Sequence, residues 1–177
     1  MNKTVLITGA TSGIGKSCAV KFAKNGYRLI ITGRREEKLL SLKKELTEQH
    51  NAEVLDLCFD VQDKSQVESA LGQLKDSWNN INVLINNAGL ALGRDSFEDA
   101  SVDDWETMMQ TNVNGLLYVS KTILPGMIER KQGHIINIGS IAGKEVYENG
   151  NVYCASKFAV DAISKSMRID LLKHNIK

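Results

Sequence analysis

Apolar residues along this chain alternate between two spacings. Short runs rich in Val, Ile and Leu predict β-strands, and apolar positions three or four apart between them predict helices. Strands are expected at 4–7, 28–32, 53–59, 83–85 and 133–138. Helices are expected at 14–24, 35–49, 67–78, 101–130 and 153–173. This alternation predicts an α/β fold, a doubly wound parallel sheet whose ligand cleft lies at the carboxyl ends of the strands.

Several helix ends carry signals of their own. Asn25-Gly26 is expected to end the first helix, with Gly26 beyond its last turn. Ser101, followed three residues later by Asp104, resembles a capping box and opens the long helix. Pro125 is expected to bend the last turns of that helix.

Composition excludes several classes of protein. The 177 residues are 42% apolar with a formal charge of +1, and we expect a single domain over 1–177. That charge gives no reason to expect nucleic acid or a membrane as partner, and no apolar run is long enough to span a bilayer. Three widely spaced Cys without a CxxC pair predict reduced thiols, a cytoplasmic location and no metal site.

A glycine-rich turn between the first strand and the first helix is suited to phosphate binding, because glycine lets the backbone approach an anion at a helix N-terminus. The dinucleotide fingerprint GxGxxG fails at Cys18, and the P-loop pattern GxxxxGK[ST] fails only at Ala10. The pattern TGxxxGxG is met at Thr8, Gly9, Gly13 and Gly15. A P-loop nucleotide-binding protein stays open as an alternative.

The residues after the second strand favour NADP over NAD. An acid there would bind a ribose 2′-hydroxyl, whereas this chain has Arg34 and Arg35. Guanidinium groups bind phosphate oxygens in a forked geometry, so the pair predicts a site for a 2′-phosphate.

Tyr153 and Lys157 are four residues apart and therefore share one face of the last helix. A free phenol is a poor acid–base group at neutral pH, but a nearby ammonium stabilises the phenolate. Ser140 follows the fifth strand at the expected cleft edge, where its hydroxyl could bond a substrate oxygen. Asn112 lies within the long helix, and taken alone it would be interpreted as an exposed amide.

Taken together, these motifs resemble the short-chain dehydrogenase/reductase family. The resemblance rests on TGxxxGxG at 8–15, Asp60-Val61, Asn86-Asn87-Ala88-Gly89, Asn112, Ser140 and Tyr153-x-x-x-Lys157, which follow the family's order and cover almost the whole chain. It implies a Rossmann domain that binds NADP(H) and carries the catalytic residues of an oxidoreductase acting on CH–OH groups.

The resemblance also implies a role for each residue. Tyr153 would exchange a proton with the carbinol oxygen, Lys157 would stabilise the phenolate and bind the nicotinamide ribose, and Ser140 would orient the substrate carbonyl. Asn112 would hold a water of the proton relay. The remaining residues would hold the cofactor: Gly9, Ser12, Gly13, Ile14 and Gly15 at the pyrophosphate, Arg34 and Arg35 at the 2′-phosphate, Asp60 and Val61 at the adenine, and Asn87, Ala88 and Gly89 along the adenine-ribose side.

Within the family, stretches such as 87–93 and 134–140 resemble NADP-dependent 3-hydroxy acid dehydrogenases, which act on serine, 3-hydroxypropionate or malonic semialdehyde. The 3-oxoacyl-[acyl-carrier-protein] reductases share the same frame and stay an alternative, as does a non-catalytic NADP-sensing module. Relatives are usually homotetramers or homodimers, and the same is expected here for a full-length protein. The chain stops where a sixth strand is expected, so we expect a fragment, or the ordered part of a longer protein, that lacks its C-terminal strands and substrate-binding segment.

Overall fold

The computed structural model describes residues 3–177, except for the side chains at positions 76 and 77. The strands are β1 (Thr4–Ile7), β2 (Arg28–Gly33), β3 (Val54–Cys58), β4 (Ile81–Asn86) and β5 (His134–Asn137). The helices are α1 (Gly13–Lys24), α2 (Glu36–His50), α3 (Lys64–Gly72), α4 (Val102–Met109), α5 (Gly115–Glu129) and α6 (Asn151–Leu171).

The five strands form one parallel sheet in the order β3-β2-β1-β4-β5. The chain builds outward from β1 to β3, then returns to place β4 on the other side of β1. The strand order therefore reverses between β1 and β4, which is where a doubly wound sheet opens a cleft at its carboxyl edge. The predicted α/β class and doubly wound parallel sheet are confirmed.

Apolar side chains cover both faces of the sheet, which explains why the strands are almost continuously hydrophobic. On one face, alternate strand residues such as Val5 and Ile7 pack with Leu39, Leu42 and Leu46 of α2. On the other face, Leu6, Ile30 and Leu84 pack with residues of α3, α5 and α6. The helices that carry the site are thus anchored on two separate cores.

One helix prediction is wrong, and a second is correct except for a local distortion. The third helix ends at Gly72, and Trp78 lies instead in a short 3₁₀ turn where the guanidinium of Arg28 stacks 4.0 Å from its ring. Gly72 is a weak helix former, and Val67 and Leu71 already bury the apolar face of α3. The long helix predicted at 101–130 is divided by a π-helical turn over Gln110–Asn114.

Other local predictions are confirmed. Gly26 adopts φ +74° directly after α1, in the left-handed region that ends helices. The Ser101 hydroxyl accepts a hydrogen bond from the Asp104 N–H at 3.4 Å, as an N-cap residue does. Pro125 lies inside α5, and the bend expected there stays a prediction.

The last residues of the chain extend the sheet beyond β5. The Lys177 N–H donates to the Gly133 carbonyl at 3.0 Å, and the Ile135 N–H donates to the Lys177 carbonyl at 2.8 Å. Ile176 is 4% exposed and packs into the second core. The connection through α6 therefore brings the chain back parallel to β5.

The β1–α1 turn packs directly on the chain that follows β4. The side-chain amide of Asn87 donates to the carbonyls of Thr8 and Gly9 at 2.9 and 3.0 Å. The Thr8 hydroxyl accepts the backbone N–H groups of Asn87 and Ala88, each at 3.0 Å. A Cβ at Gly15 would overlap the Gly9 carbonyl and lie 2.5 Å from Asn87 Nδ2, so this crossing requires glycine.

Replacing Gly15 with Ala is therefore expected to lower the melting temperature, because rigid backbone on one side leaves the methyl group no room. Overpacking of this kind costs about 1–3 kcal/mol, and about 2–4 °C of melting temperature accompanies each kcal/mol in a domain of this size. Gly72→Ala is the matched control, since a Cβ there has nothing within 4 Å. Equal melting temperatures of the two variants by circular dichroism would contradict the crowding at Gly15.

Candidate functional site

A cleft of about 570 Å³ opens at the carboxyl ends of the strands, where the strand order reverses. Thirteen of the sixteen predicted site residues line it, and the exceptions are Gly15, Asn112 and Ser140. Gly15 lies where the β1–α1 turn packs on the chain that follows β4. Asn112 is buried behind Leu90, one of the residues that line the cleft. The cleft is also lined by residues that the sequence did not single out: Thr11, Gly33, Phe59, Leu90, Ala91, Thr111, Ile138 and Gly139.

The amino end of α1 faces this cleft. Gly13, with φ +54°, begins the helix, and the first turn contains no acidic residue. The Ser12 side chain makes no capping bond to that turn, so its backbone N–H groups and the positive end of the helix dipole are available to an anion. This end of the cleft is suited to a phosphate.

Two arginines line the cleft beside the amino end of α1, one bonded to hydroxyl groups and the other paired with a carboxylate. Arg35 donates to the hydroxyls of Thr11 and Ser12 at 2.6 and 3.0 Å. Arg34 forms an ion pair with Asp60 at 3.2 Å. Arg35 is the N-cap residue of α2 and not part of its first turn, which begins with Glu36 and Glu37. Thr11 was missed because it occupies a variable position of the TGxxxGxG pattern.

The residues of the P-loop alternative point away from the cleft. Lys16 pairs with Glu45 of α2 at 2.8 Å, and the Ser17 hydroxyl donates back to the Gly13 carbonyl at 3.1 Å. A P-loop lysine has to reach the phosphates that the loop encloses. The arrangement at Lys16 therefore disfavours a triphosphate site.

Tyr153 and Lys157 line the far end of the cleft from adjacent turns of α6. The Lys157 ammonium lies 6.0 Å from the centre of the Tyr153 ring and donates to the Ile138 carbonyl at 2.9 Å. Lys157 is 9% exposed, and burial lowers its pKa because the charged form loses hydration. The carbonyl fixes the ammonium beside the phenol.

Ser140 follows β5 and caps a 3₁₀ turn over Ile141–Gly143. Its oxygen accepts the Ala142 N–H at 3.1 Å, which leaves the hydroxyl hydrogen free to donate. A Cβ at Gly143 would lie 2.5 Å from the Lys157 carbonyl oxygen. The turn after Ser140 therefore packs directly on the backbone of α6 at Lys157.

Asn112 is buried, at 2% exposure, within the π-helical turn. Its side-chain oxygen accepts the Leu90 N–H, and its amide nitrogen donates to the Leu90 carbonyl, both at 2.8 Å. The second amide hydrogen goes to the Ser156 hydroxyl at 3.0 Å. Asn112 is thus not the exposed amide that its position alone suggested. It joins the chain after β4 to α6.

Among residues 3–177, leaving aside positions 76 and 77, no group of three or more His, Cys, Asp or Glu side chains is placed to hold a metal ion. Cys18, Cys58 and Cys154 are free thiols. In the same range, no helix has the length and apolar character needed to cross a membrane.

Comparisons with known proteins agree with this geometry. The family model described as short chain dehydrogenase matches residues 3–177. An NADP-dependent 3-hydroxy acid dehydrogenase of Salmonella typhi is 50% identical over 167 residues, which cover 94% of this chain and 66% of that protein. Sulfoacetaldehyde reductase 2 of Chromohalobacter salexigens is 42% identical over 172 residues, covering 97% of this chain and 68% of that protein.

Among solved structures, the closed form of a serine dehydrogenase complexed with NADP⁺ matches with a TM-score of 0.88 and 48% identity. The match covers 95% of this chain and 66% of that one. The chain thus spans about 66% of the length of the 3-hydroxy acid dehydrogenase that it resembles. Because the family model matches the whole described range, this chain belongs to the short-chain dehydrogenase family.

Proposed function

We propose that this chain binds NADP(H) and catalyses reversible hydride transfer between NADP(H) and the hydroxyl- or carbonyl-bearing carbon of a small organic acid. The observation that carries the proposal is the buried Lys157 ammonium beside Tyr153, at one end of a cleft whose other end has Arg34 and Arg35. Proton-transfer chemistry and a site for a phosphorylated cofactor thus share one cavity.

The residues of the cleft fit an NADP molecule in three respects. The free N–H groups of the α1 amino end suit a pyrophosphate. Arg35 is already oriented by Thr11 and Ser12, and with Arg34 it provides positive charge for a 2′-phosphate. The 3-hydroxy acid dehydrogenase named above is NADP-dependent, and the serine dehydrogenase structure is complexed with NADP⁺, which supports the same cofactor here.

The acid–base work is assigned to this chain's own side chains. In the oxidation direction, Tyr153 as phenolate takes the proton from the substrate hydroxyl while Lys157 stabilises the negative charge. The Ser140 hydroxyl donates to the same substrate oxygen, for which its hydrogen is free. When bound, NADP(H) would supply the hydride acceptor or donor, since no side chain can carry a hydride.

A proton relay through Asn112 needs a water, and the space beside Gly89 is where that water would lie. A Cβ at Gly89 would lie 3.2 Å from Asn112 Oδ1 and 3.8 Å from Lys157 Nζ, so both groups border the same space. The amide hydrogens of Asn112 are already used, but Oδ1 retains one lone pair. The absence of a side chain at Gly89 supports a water held between Asn112 and Lys157.

The proposed substrates are acids of two or three carbons with a hydroxyl or aldehyde group, such as serine, 3-hydroxypropionate and malonic semialdehyde. Names of relatives support this class, including a reductase of sulfoacetaldehyde, which is also a small acid carrying an aldehyde. A 3-oxoacyl thioester is the competing substrate, and a cofactor-sensing module without turnover is the competing function.

We further propose one domain over 1–177 and self-association of the whole protein. Exposed apolar residues on α5 and α6, including Leu117, Phe158 and Ile169, support packing between copies through these helices. The three free thiols support a reducing, cytoplasmic location.

Replacing Tyr153 with Phe is expected to reduce turnover at least about 100-fold, because general acid–base catalysis is lost. NADPH binding, measured by fluorescence, is expected to be unchanged because the ring stays in place. Tyr118→Phe is the control, since Tyr118 lies on α5, packs against the second core and does not line the cleft. Loss of NADPH binding in Tyr153→Phe would identify a structural tyrosine instead.

A substrate panel separates the competing functions. NADPH oxidation is measured with malonic semialdehyde, sulfoacetaldehyde and an acetoacetyl thioester, and NADP⁺ reduction with serine and 3-hydroxypropionate. Turnover of the small acids supports the proposal, and turnover of the thioester alone would replace it. NADPH binding without turnover of any compound would indicate a sensing module.

Replacing Arg35 with Ala is expected to reduce the preference for NADPH over NADH by about 10-fold or more, because a charge-assisted bond to the 2′-phosphate is lost. The ratio of the two dissociation constants is the measurement. Arg168→Ala on the exposed face of α6 is the control and should leave the ratio unchanged. An unchanged ratio in Arg35→Ala would exclude Arg35 from the 2′-phosphate site.

A further inference from the structure

Ser156 is a fully buried polar residue to which the proposed chemistry gives no role. It is 0% exposed and lies between Tyr153 and Lys157 on α6. Burying a hydroxyl lowers stability unless it is hydrogen-bonded. The two bonds that satisfy it therefore reveal what the residue does.

The Ser156 hydroxyl connects two parts of the site. It donates to the Tyr153 carbonyl at 2.7 Å and accepts the Asn112 amide at 3.0 Å. Asn112 is bonded in turn to both backbone groups of Leu90 at 2.8 Å. A continuous chain of hydrogen bonds thus runs from the segment after β4, through the π-helical turn, to the peptide group of Tyr153.

This chain of bonds fixes α6 against the cleft wall at the turn that carries the acid–base pair. Serines within helices commonly bond back to a carbonyl of the preceding turn, and that bond alone requires no partner from another element. At Ser156 the same oxygen also accepts from the π-helical turn, and such turns often mark functional sites. Small displacements of reacting groups reduce rates strongly.

We propose that Ser156 is a positioning residue that holds Tyr153 and Lys157 in register with Asn112. The inference rests on the proposed function, because it assigns Ser156 to the same proton transfer. It adds that the hydroxyl is required for the geometry of the transfer and not for cofactor binding.

The same helix contains a matched control. The Ser164 hydroxyl donates to the Val160 carbonyl at 2.6 Å and accepts the Asn137 amide at 2.9 Å. It therefore makes the same two kinds of bond as Ser156, two turns further along α6. Ser164→Ala removes an equivalent hydroxyl without touching the cleft.

The experiment compares Ser156→Ala, Ser156→Thr and Ser164→Ala with the parent chain. In Ser156→Ala we expect kcat to fall about 10-fold or more, as for a reacting group displaced by a fraction of an ångström, with NADPH affinity unchanged. The KM for the substrate should change little in the same variant, because Ser156 does not line the cleft. Ser156→Thr keeps the hydroxyl and should restore kcat, and Ser164→Ala should match the parent.

Equal kcat values in Ser156→Ala and Ser164→Ala would overturn the positioning role while leaving the proposed function intact. An equal loss of kcat in both variants would likewise show a general effect on α6. If Ser156→Ala does not fold, Ser156→Cys, of similar volume but with a weaker hydrogen-bonding group, replaces it with the same expected outcome. A parent chain that turns over none of the panel would overturn the proposed function, and this inference with it.

Discussion

The side-chain amide of Asn87 donates to the carbonyls of Thr8 and Gly9, and this pair of hydrogen bonds joins the first strand–helix turn to the end of β4. The geometry of the cleft depends on it. Strands β1 and β4 are neighbours in the sheet but are separated by more than 70 residues of sequence. Glycine at 9 and 15 lets the two segments touch, so the amino end of α1 faces the space between them.

A second set of hydrogen bonds joins the end of the cleft lined by Tyr153 and Lys157 to the same segment after β4. Asn112 binds the backbone of Leu90, three residues after Asn87, and reaches α6 through Ser156. Lys157 binds the Ile138 carbonyl after β5, and Gly143 lets the next turn pack against the Lys157 backbone. The proposed acid–base pair and the proposed phosphate site are therefore both held in place by hydrogen bonds to one segment, the chain that follows β4.

Much of the fold followed from the sequence because the strands are short, apolar and separated by helical periodicity. The glycine pattern, the Arg34-Arg35 pair and the Tyr153–Lys157 spacing also placed residues at both ends of the cleft, since motifs at strand ends meet at one edge of a parallel sheet. Asp60, Val61 and residues 87–89 were expected there only from the family resemblance. The π-helical turn was not predictable, because it is stabilised by hydrogen bonds from Asn112 to backbone that is distant in sequence. Ser156 carried no signal for the same reason: a serine five residues after a helix start is ordinary until its partner is known.

NADPH binding to the chain of 177 residues, measured against NADH by isothermal titration calorimetry, tests the central claim most directly. The account holds that the crossing at Asn87, the α1 amino end and the two arginines already form the cofactor site within these residues. It predicts saturable binding at one site per chain, with NADPH about 10-fold or more tighter than NADH because of the 2′-phosphate. Absence of binding by either nucleotide, or binding of NADH as tight as that of NADPH, would contradict it.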